Sequence, residues 1–133
     1  MQEYGHKLFE HLMKDEENHY CFDCGKINLI KGKKPAHWAS VSNAIYLCLN
    51  CASNHRGYGV NISYVRSVTI DTWSDSQLRS MAAGGNRRLA ELLQEFDVSR
   101  TYAKDILYSS LLLDYHRKNV IFLIISSNFP KIL

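Results

Sequence analysis

The sequence lacks a strong charge imbalance, a long apolar run and a leader-like N-terminus, and each absence removes a class of function. Sixteen Lys and Arg stand against thirteen Asp and Glu, for a net charge of +3 at pH 7. A bias that small suits an anionic partner without demanding one, and it leaves nucleic-acid binding unsupported. The most membrane-like stretch is Val120 to Ile125, six residues where a spanning helix needs about 20, so it cannot cross a bilayer. Residues 1–17 mix charged and apolar side chains without the continuous apolar centre of a secretory signal, so the chain is expected in the cytosol. No internal repeat is visible. With 133 residues, 46% hydrophobic and 22% charged, the composition is that of an ordinary globular chain, and one domain with a modest core is expected.

What is present is local. The four cysteines form two C-x2-C pairs, Cys21-Phe-Asp-Cys24 and Cys48-Leu-Asn-Cys51. In a reducing compartment they are poor candidates for disulfides. A redox C-x-x-C would need one pair only, and free core cysteines would not fall at this spacing twice. Each pair can place two thiolates at two corners of a tetrahedron, at about 2.3 Å from a zinc ion. The pairs are separated by 23 positions, residues 25–47, slightly beyond the common zinc spacing of roughly 15–20. The lysine-rich stretch between them accounts for the excess. Four thiolates leave no coordination position for water, so one structural Zn2+ is expected, contributing on the order of 10 kcal/mol to folding. His55, four positions after Cys51, is an available substitute ligand. With four cysteines present it reads instead as a polar helix residue.

Periodicity supplies the frame. Tyr4, Leu8, Phe9, Leu12 and Met13 line one face of a helix that ends near Asp15-Glu16-Glu17, leading into the first pair. Asn28 to Pro35 carries three lysines, Lys31, Lys33 and Lys34, and reads as an exposed loop. Three short strands are predicted at Ala39–Ser42, Ala44–Leu49 and Tyr64–Ile70. Ser74 with Gln77 forms a capping box and Trp73 with Leu78 a hydrophobic staple, so a helix should start at Asp75. It should stop at Gly84-Gly85, with Asn86 capping the next helix. There, Leu89, Leu92, Leu93 and Phe96 make a core-facing stripe. A last helix is expected from about Ser99 to Lys118, burying Tyr102, Ile106, Leu113 and Tyr115. The fold class is therefore α+β: a small zinc-stapled domain over residues 1–119, with a short three-stranded sheet flanked by about five helices. Residues 120–133 form an apolar tail, either an added strand or the stub of a longer chain.

The residues around the cysteine pairs narrow the function. Cys21-x2-Cys24, Trp38-Ala39-Ser40, Cys48-x2-Cys51-x3-His55-Arg56, Gly59, Ser63, Val65-Arg66-Ser67, Asp71, Trp73, Gln77-Leu78, Met81 and Gly84-Gly85-Asn86 occur in that order. Together they resemble the catalytic domain of Arf GTPase-activating proteins, over roughly Tyr4 to Val98. Tyr108 to Lys118 also looks like the helix that follows the domain in the Golgi-associated branch. The resemblance implies acceleration of GTP hydrolysis on an Arf-type small GTPase in its GTP-bound form, with Arg56 as an arginine finger supplied in trans. The chain would then be no stand-alone enzyme. It would be recruited peripherally to Golgi or vesicle membranes, with possible membrane or coat contacts. If a helix begins at the second pair, Arg56 lies roughly 7.5 Å along its axis from Cys51, so the metal anchors the base of the finger.

Trp38 either packs over the zinc knuckle, the favoured reading, or meets the GTPase. Arg66 either orients the finger or pairs with Asp71 or another carboxylate, and a structural role is favoured. Asn61 stands where the family usually has histidine and Tyr58 where it usually has leucine, so Asn61 belongs to a partner-facing surface with altered detail. The loop between the pairs is about seven residues longer than usual. Two other readings compete. A nucleic-acid-binding zinc finger should show Lys and Arg clustered beside the second pair with a basic tail, whereas here Arg56 is followed by Gly-Tyr-Gly. A catalytically silent scaffold for Arf or a coat protein is opposed by the retention of Arg56.

Overall fold

The computed structural model describes residues 3–25 and 35–126, and the expected lysine-rich loop, with Lys31, Lys33 and Lys34, lies outside them apart from Pro35. The chain opens with helix α1 (Glu3–Leu12) and a 3-10 turn at Glu16–His19. Strands β1 (Trp38–Ser40) and β2 (Ile45–Leu47) follow, then α2 (Leu49–Arg56) and β3 (Val65–Ser67). Helices α3 (Asp75–Ala83), α4 (Asn86–Glu95), α5 (Lys104–Tyr108) and α6 (Leu111–Ile125) complete the described chain. The three strands form one antiparallel sheet in the order β2-β1-β3, with Ala39 of β1 opposite Tyr46 and Arg66.

Strand β2 is buried along its whole length, and successive side chains of a strand point to opposite faces. Tyr46 therefore enters one core while Ile45 and Leu47 enter another. The first core gathers Phe9 of α1, Trp73, Leu78 and Met81 around α3, and Val120 of α6. Phe9 meets Trp73 edge-on at 5.0 Å between ring centroids, and the Trp73 indole N–H donates to Ser67 O at 2.9 Å. The second core packs Phe22, Leu89, Leu93, Leu107, Tyr108 and Leu113 around the cysteines. Each fully buried large apolar side chain contributes about 1.5–3 kcal/mol.

Local signals fix several boundaries. Both halves of the Ser74/Gln77 capping box are present, so α3 starts at Asp75 as expected. It ends where the chain must pass Ala44: a Cβ on Gly84 would lie 2.2 Å from the Ala44 Cβ, and Gly85 adopts φ +103°. Asn86 does not cap α4, because its side chain is occupied elsewhere. Its Oδ1 accepts from Tyr46 N at 2.8 Å, and its Nδ2 donates to the Glu17 and Tyr20 carbonyls at 2.9 Å each. Asn86 thus ties α4 to β2 and to the 3-10 turn.

Three expectations need correction. Leu89 and Leu93 are buried, but Phe96 is 57% exposed, because α4 ends at Glu95 and the positive φ of Asp97 turns the chain away. The single last helix is two helices, broken at Ser109-Ser110, where the Ser110 hydroxyl accepts from Leu113 N and caps α6. The break resets the helical phase: Leu107, Tyr108, Leu113, His116 and Val120 are buried, whereas Tyr102, Ile106 and Tyr115 are exposed. Helix α6 also runs on through Val120–Ile125, which is helical rather than an added strand. Among the described residues no helix is long and apolar enough to cross a membrane.

Candidate functional site

The two cysteine pairs come together. The Sγ atoms of Cys21, Cys24, Cys48 and Cys51 all lie within 4.8 Å of one another, and Cys24 Sγ is 3.7 Å from Cys48 Sγ. A tight turn builds the first pair, with Gly25 N donating to Cys21 O at 2.8 Å. A Cβ on Gly25 would meet that carbonyl at 2.4 Å, so only glycine closes the turn. The second pair opens α2, with Cys48 at its N-cap and Cys51 in its first turn.

Four thiols this close cannot all ionise unaided. The Cys21 thiol drops to about 5, chiefly because Cys51 donates a hydrogen bond to it. Cys24 is pushed up to about 12 by burial and by the charge on Cys21, and Cys51 rises because it is the donor and is desolvated. One thiolate forms and opposes the next. A divalent cation at the centre removes that opposition, and a closed set of four soft donors fits zinc.

Helix α2 carries Arg56 as its last residue, and Gly57 N bonds back to Asn54 O at 3.1 Å. Arg56 is exposed. Among the described residues its side chain has no hydrogen-bond or carboxylate partner, and its guanidinium lies 5.1 Å from the centre of the Trp38 ring. Trp38 is half-buried. It packs against the second core and borders an open hollow of about 350 Å³ lined also by Pro35, His37, Cys48, Leu49 and Asn50. It therefore covers the knuckle and supports Arg56 together. Asn61 is exposed on the turn beyond α2. Arg66 does not pair with Asp71: its guanidinium stacks over Tyr64 at 5.1 Å, while Asp71 Oδ2 accepts from Ser67 N at 2.7 Å.

His55 lies in α2, as expected of a polar helix residue, but not on its surface. It is fully buried, flanking Arg56 on the opposite side of α2 from solvent. Its Nε2 donates to Asp23 Oδ2 at 2.8 Å, and Asp23 Oδ1 accepts from the Tyr108 hydroxyl. On the other side, His55 Nδ1 lies 2.7 Å from Ser63 Oγ, which is 2.6 Å from Ser40 Oγ. Ser40 Oγ accepts from Asn43 Nδ2 at 2.8 Å. With the imidazole proton on Nε2, every donor in this series finds an acceptor. The series closes on itself: Arg117 Nη1 donates to Asn43 Oδ1 and to Tyr108 O, both at 3.0 Å. Burial and the Asp23 charge hold the Tyr108 phenol well above its ordinary pKa, so it remains a donor. Sequence reasoning missed this ring because α2 is mostly polar and carries no strong apolar stripe that marks His55 as buried.

The chain matches, over residues 6–111, the ArfGap family, described as "Putative GTPase activating protein for Arf". It is 34% identical over 116 residues to "ADP-ribosylation factor GTPase-activating protein 3" of Bos taurus, covering 85% of this chain and 20% of that protein. It is 40% identical over 98 residues to "Probable ADP-ribosylation factor GTPase-activating protein AGD15" of Arabidopsis thaliana, covering 70% of this chain and 39% of that one. The chain thus spans well under half the length of these curated relatives. Among solved structures, a "putative GTPase activating protein for ADP ribosylation factor" from Cryptosporidium parvum superposes with a TM-score of 0.78 at 30% identity, covering 90% of each chain. The "ArfGap domain of HIV-1 Rev binding protein" shares the fold at a TM-score of 0.57 and 18% identity, covering 93% of this chain and 83% of that one. A family match over residues 6–111, most of the chain, together with these relatives establishes that this chain belongs to the ArfGap family.

Proposed function

We propose that this chain accelerates GTP hydrolysis by an Arf-type small GTPase, with Arg56 supplied in trans as the catalytic arginine and one structural Zn2+ held by Cys21, Cys24, Cys48 and Cys51. The observation that carries the reading is the placement of Arg56. It sits at the exposed tip of a helix whose base is two metal-ligand cysteines, with its guanidinium free of any carboxylate among the described residues. An ion-paired arginine would have to break its pair before serving another anion, whereas this one meets no competitor.

Small GTPases of this kind hydrolyse GTP slowly because charge building on the phosphoryl oxygens in the transition state is incompletely neutralised. A planar, permanently charged guanidinium offers several donors to those oxygens as they become more negative. Such a finger is worth about 10³–10⁵ in rate, or roughly 4–7 kcal/mol of barrier. Zinc, when bound, supplies no chemistry to the substrate and fixes the start of α2. Trp38 holds the guanidinium near the protein surface through its ring face. The hollow beside it, with exposed Leu49 at its edge, offers an apolar seat next to the finger for the partner. Asn61 and Arg66, on the segments after α2, belong to the same proposed docking face. The partner is the GTP-bound GTPase, met at Golgi or vesicle membranes to which the chain is recruited peripherally.

The test is single-turnover GTP hydrolysis by a panel of Arf-type GTPases, with and without this chain. At least one member should be accelerated by the wild-type chain and not by Arg56→Ala. If wild type and Arg56→Ala stimulate equally, the finger assignment is wrong.

A further inference from the structure

We propose that the hydrogen-bond ring that begins and ends at Tyr108 sets the position of Arg56, which makes Tyr108, on the C-terminal helices, a positioning residue for the finger. This rests on the reading of Arg56 above and goes beyond it, since neither the cysteines nor the helix alone places the guanidinium.

The Arg56 side chain has no hydrogen-bond partner among the described residues; stacking on Trp38 keeps its guanidinium near the surface, but the direction in which the side chain leaves α2 is set by its backbone. That backbone is the last turn of α2, where helices fray because their final carbonyls lose their partners. His55, the preceding residue, prevents this. Its ring is wholly buried, bonded at both nitrogens, and held edge-on by Tyr108 at 4.4 Å between centroids. A purely apolar side chain at residue 55 could bury as much area, but it would allow the turn to rotate. Two directional bonds do not.

The bonds to His55 are held in turn. Asp23 has one carboxylate oxygen on His55 and the other on Tyr108, so losing the phenol frees the carboxylate to rotate. Ser63 is fixed through Ser40 and Asn43, and Asn43 through Arg117 of α6. His116 adds a bond from its Nε2 to Asn43 O at 2.7 Å. Two remote parts of the chain, the knuckle at Asp23 and the junction between α5 and α6, thus converge on the residue before the finger. Misplacing a catalytic group by about 1 Å can cost on the order of 10²-fold in rate, so a loosened His55 should be visible in turnover.

The experiment compares Tyr108→Phe with wild type in single-turnover hydrolysis over a range of chain concentrations, each in an Arg56 and an Arg56→Ala background. Zinc content and thermal midpoint are measured on the same samples. The ring predicts a fall of about 10-fold or more in the maximal rate of Tyr108→Phe, with the half-saturating concentration within about twofold, and no further fall on adding it to Arg56→Ala. Ser63→Ala, which opens the ring on the side of His55 away from the cysteines, is run through the same comparison, so that a folding defect in one variant does not decide the result. Equal falls in both backgrounds, a rise in half-saturation at unchanged maximal rate, or full activity of both variants overturns the proposal. An Arg56→Ala chain as active as wild type overturns the finger reading itself, whereas a slow Arg56→Ala beside fully active Tyr108→Phe and Ser63→Ala overturns the ring alone.

Discussion

The two cores of this domain are built from different materials. The first is an apolar contact among α1, α3, α6 and Tyr46 of β2, whereas the second surrounds four sulfurs and a ring of buried polar side chains. Apolar contact is non-directional and tolerates small rearrangements. Metal ligation and buried hydrogen bonds are directional, so they specify where a backbone runs. Arg56 stands on the second core, which is the one able to hold a side chain in a defined place. Stability can come from either, but position comes from the second.

Breaking that contrast begins with the largest effect. Cys24→Ser, or removal of the metal by a strong chelator, should abolish the cooperative thermal transition, since a site of this kind contributes on the order of 10 kcal/mol. Retention of that transition after verified zinc loss would show that the second core stands without its metal. In the first core, Leu78→Ala removes a side chain that is 1% exposed and should cost about 2–5 kcal/mol in chemical denaturation. Yet the folded fraction should stimulate hydrolysis at the wild-type rate. A lost rate at full occupancy of the folded state would mean the two cores are not separable. Smallest is Ser74→Ala, which deletes the hydroxyl that accepts from Gln77 N and should cost about 1 kcal/mol in the same denaturation experiment, with zinc affinity unchanged.

How much was legible in the sequence follows the same division. The start of α3 was readable because its signals, Ser74, Gln77, Trp73 and Leu78, lie within six residues, and α1 was readable from its periodic stripe. The cysteine cluster was readable because two pairs at knuckle spacing leave few alternatives. The ring was not. Tyr108 and Asp23 are 85 positions apart, and His55 and Asp23 are 32 apart, so no local pattern announces their meeting. Asn86 misled for a related reason: beside two glycines it carries the local signature of a cap, but three backbone groups from elsewhere in the chain claim its amide. The break between α5 and α6 was hidden because apolar residues on both sides continue at nearly helical spacing, and only the two serines mark the new start.

The most direct test of the central claim measures affinity and turnover together on Arg56 variants. Wild type, Arg56→Lys and Arg56→Ala would each be titrated against one Arf-type GTPase loaded with a non-hydrolysable GTP analogue, then assayed for single-turnover hydrolysis with GTP. The account predicts similar affinities for all three. It also predicts maximal rates reduced about 10³-fold or more for Arg56→Ala, with Arg56→Lys restoring little, since a point charge does not reproduce the planar set of donors. Undiminished turnover by Arg56→Ala at saturation would contradict it.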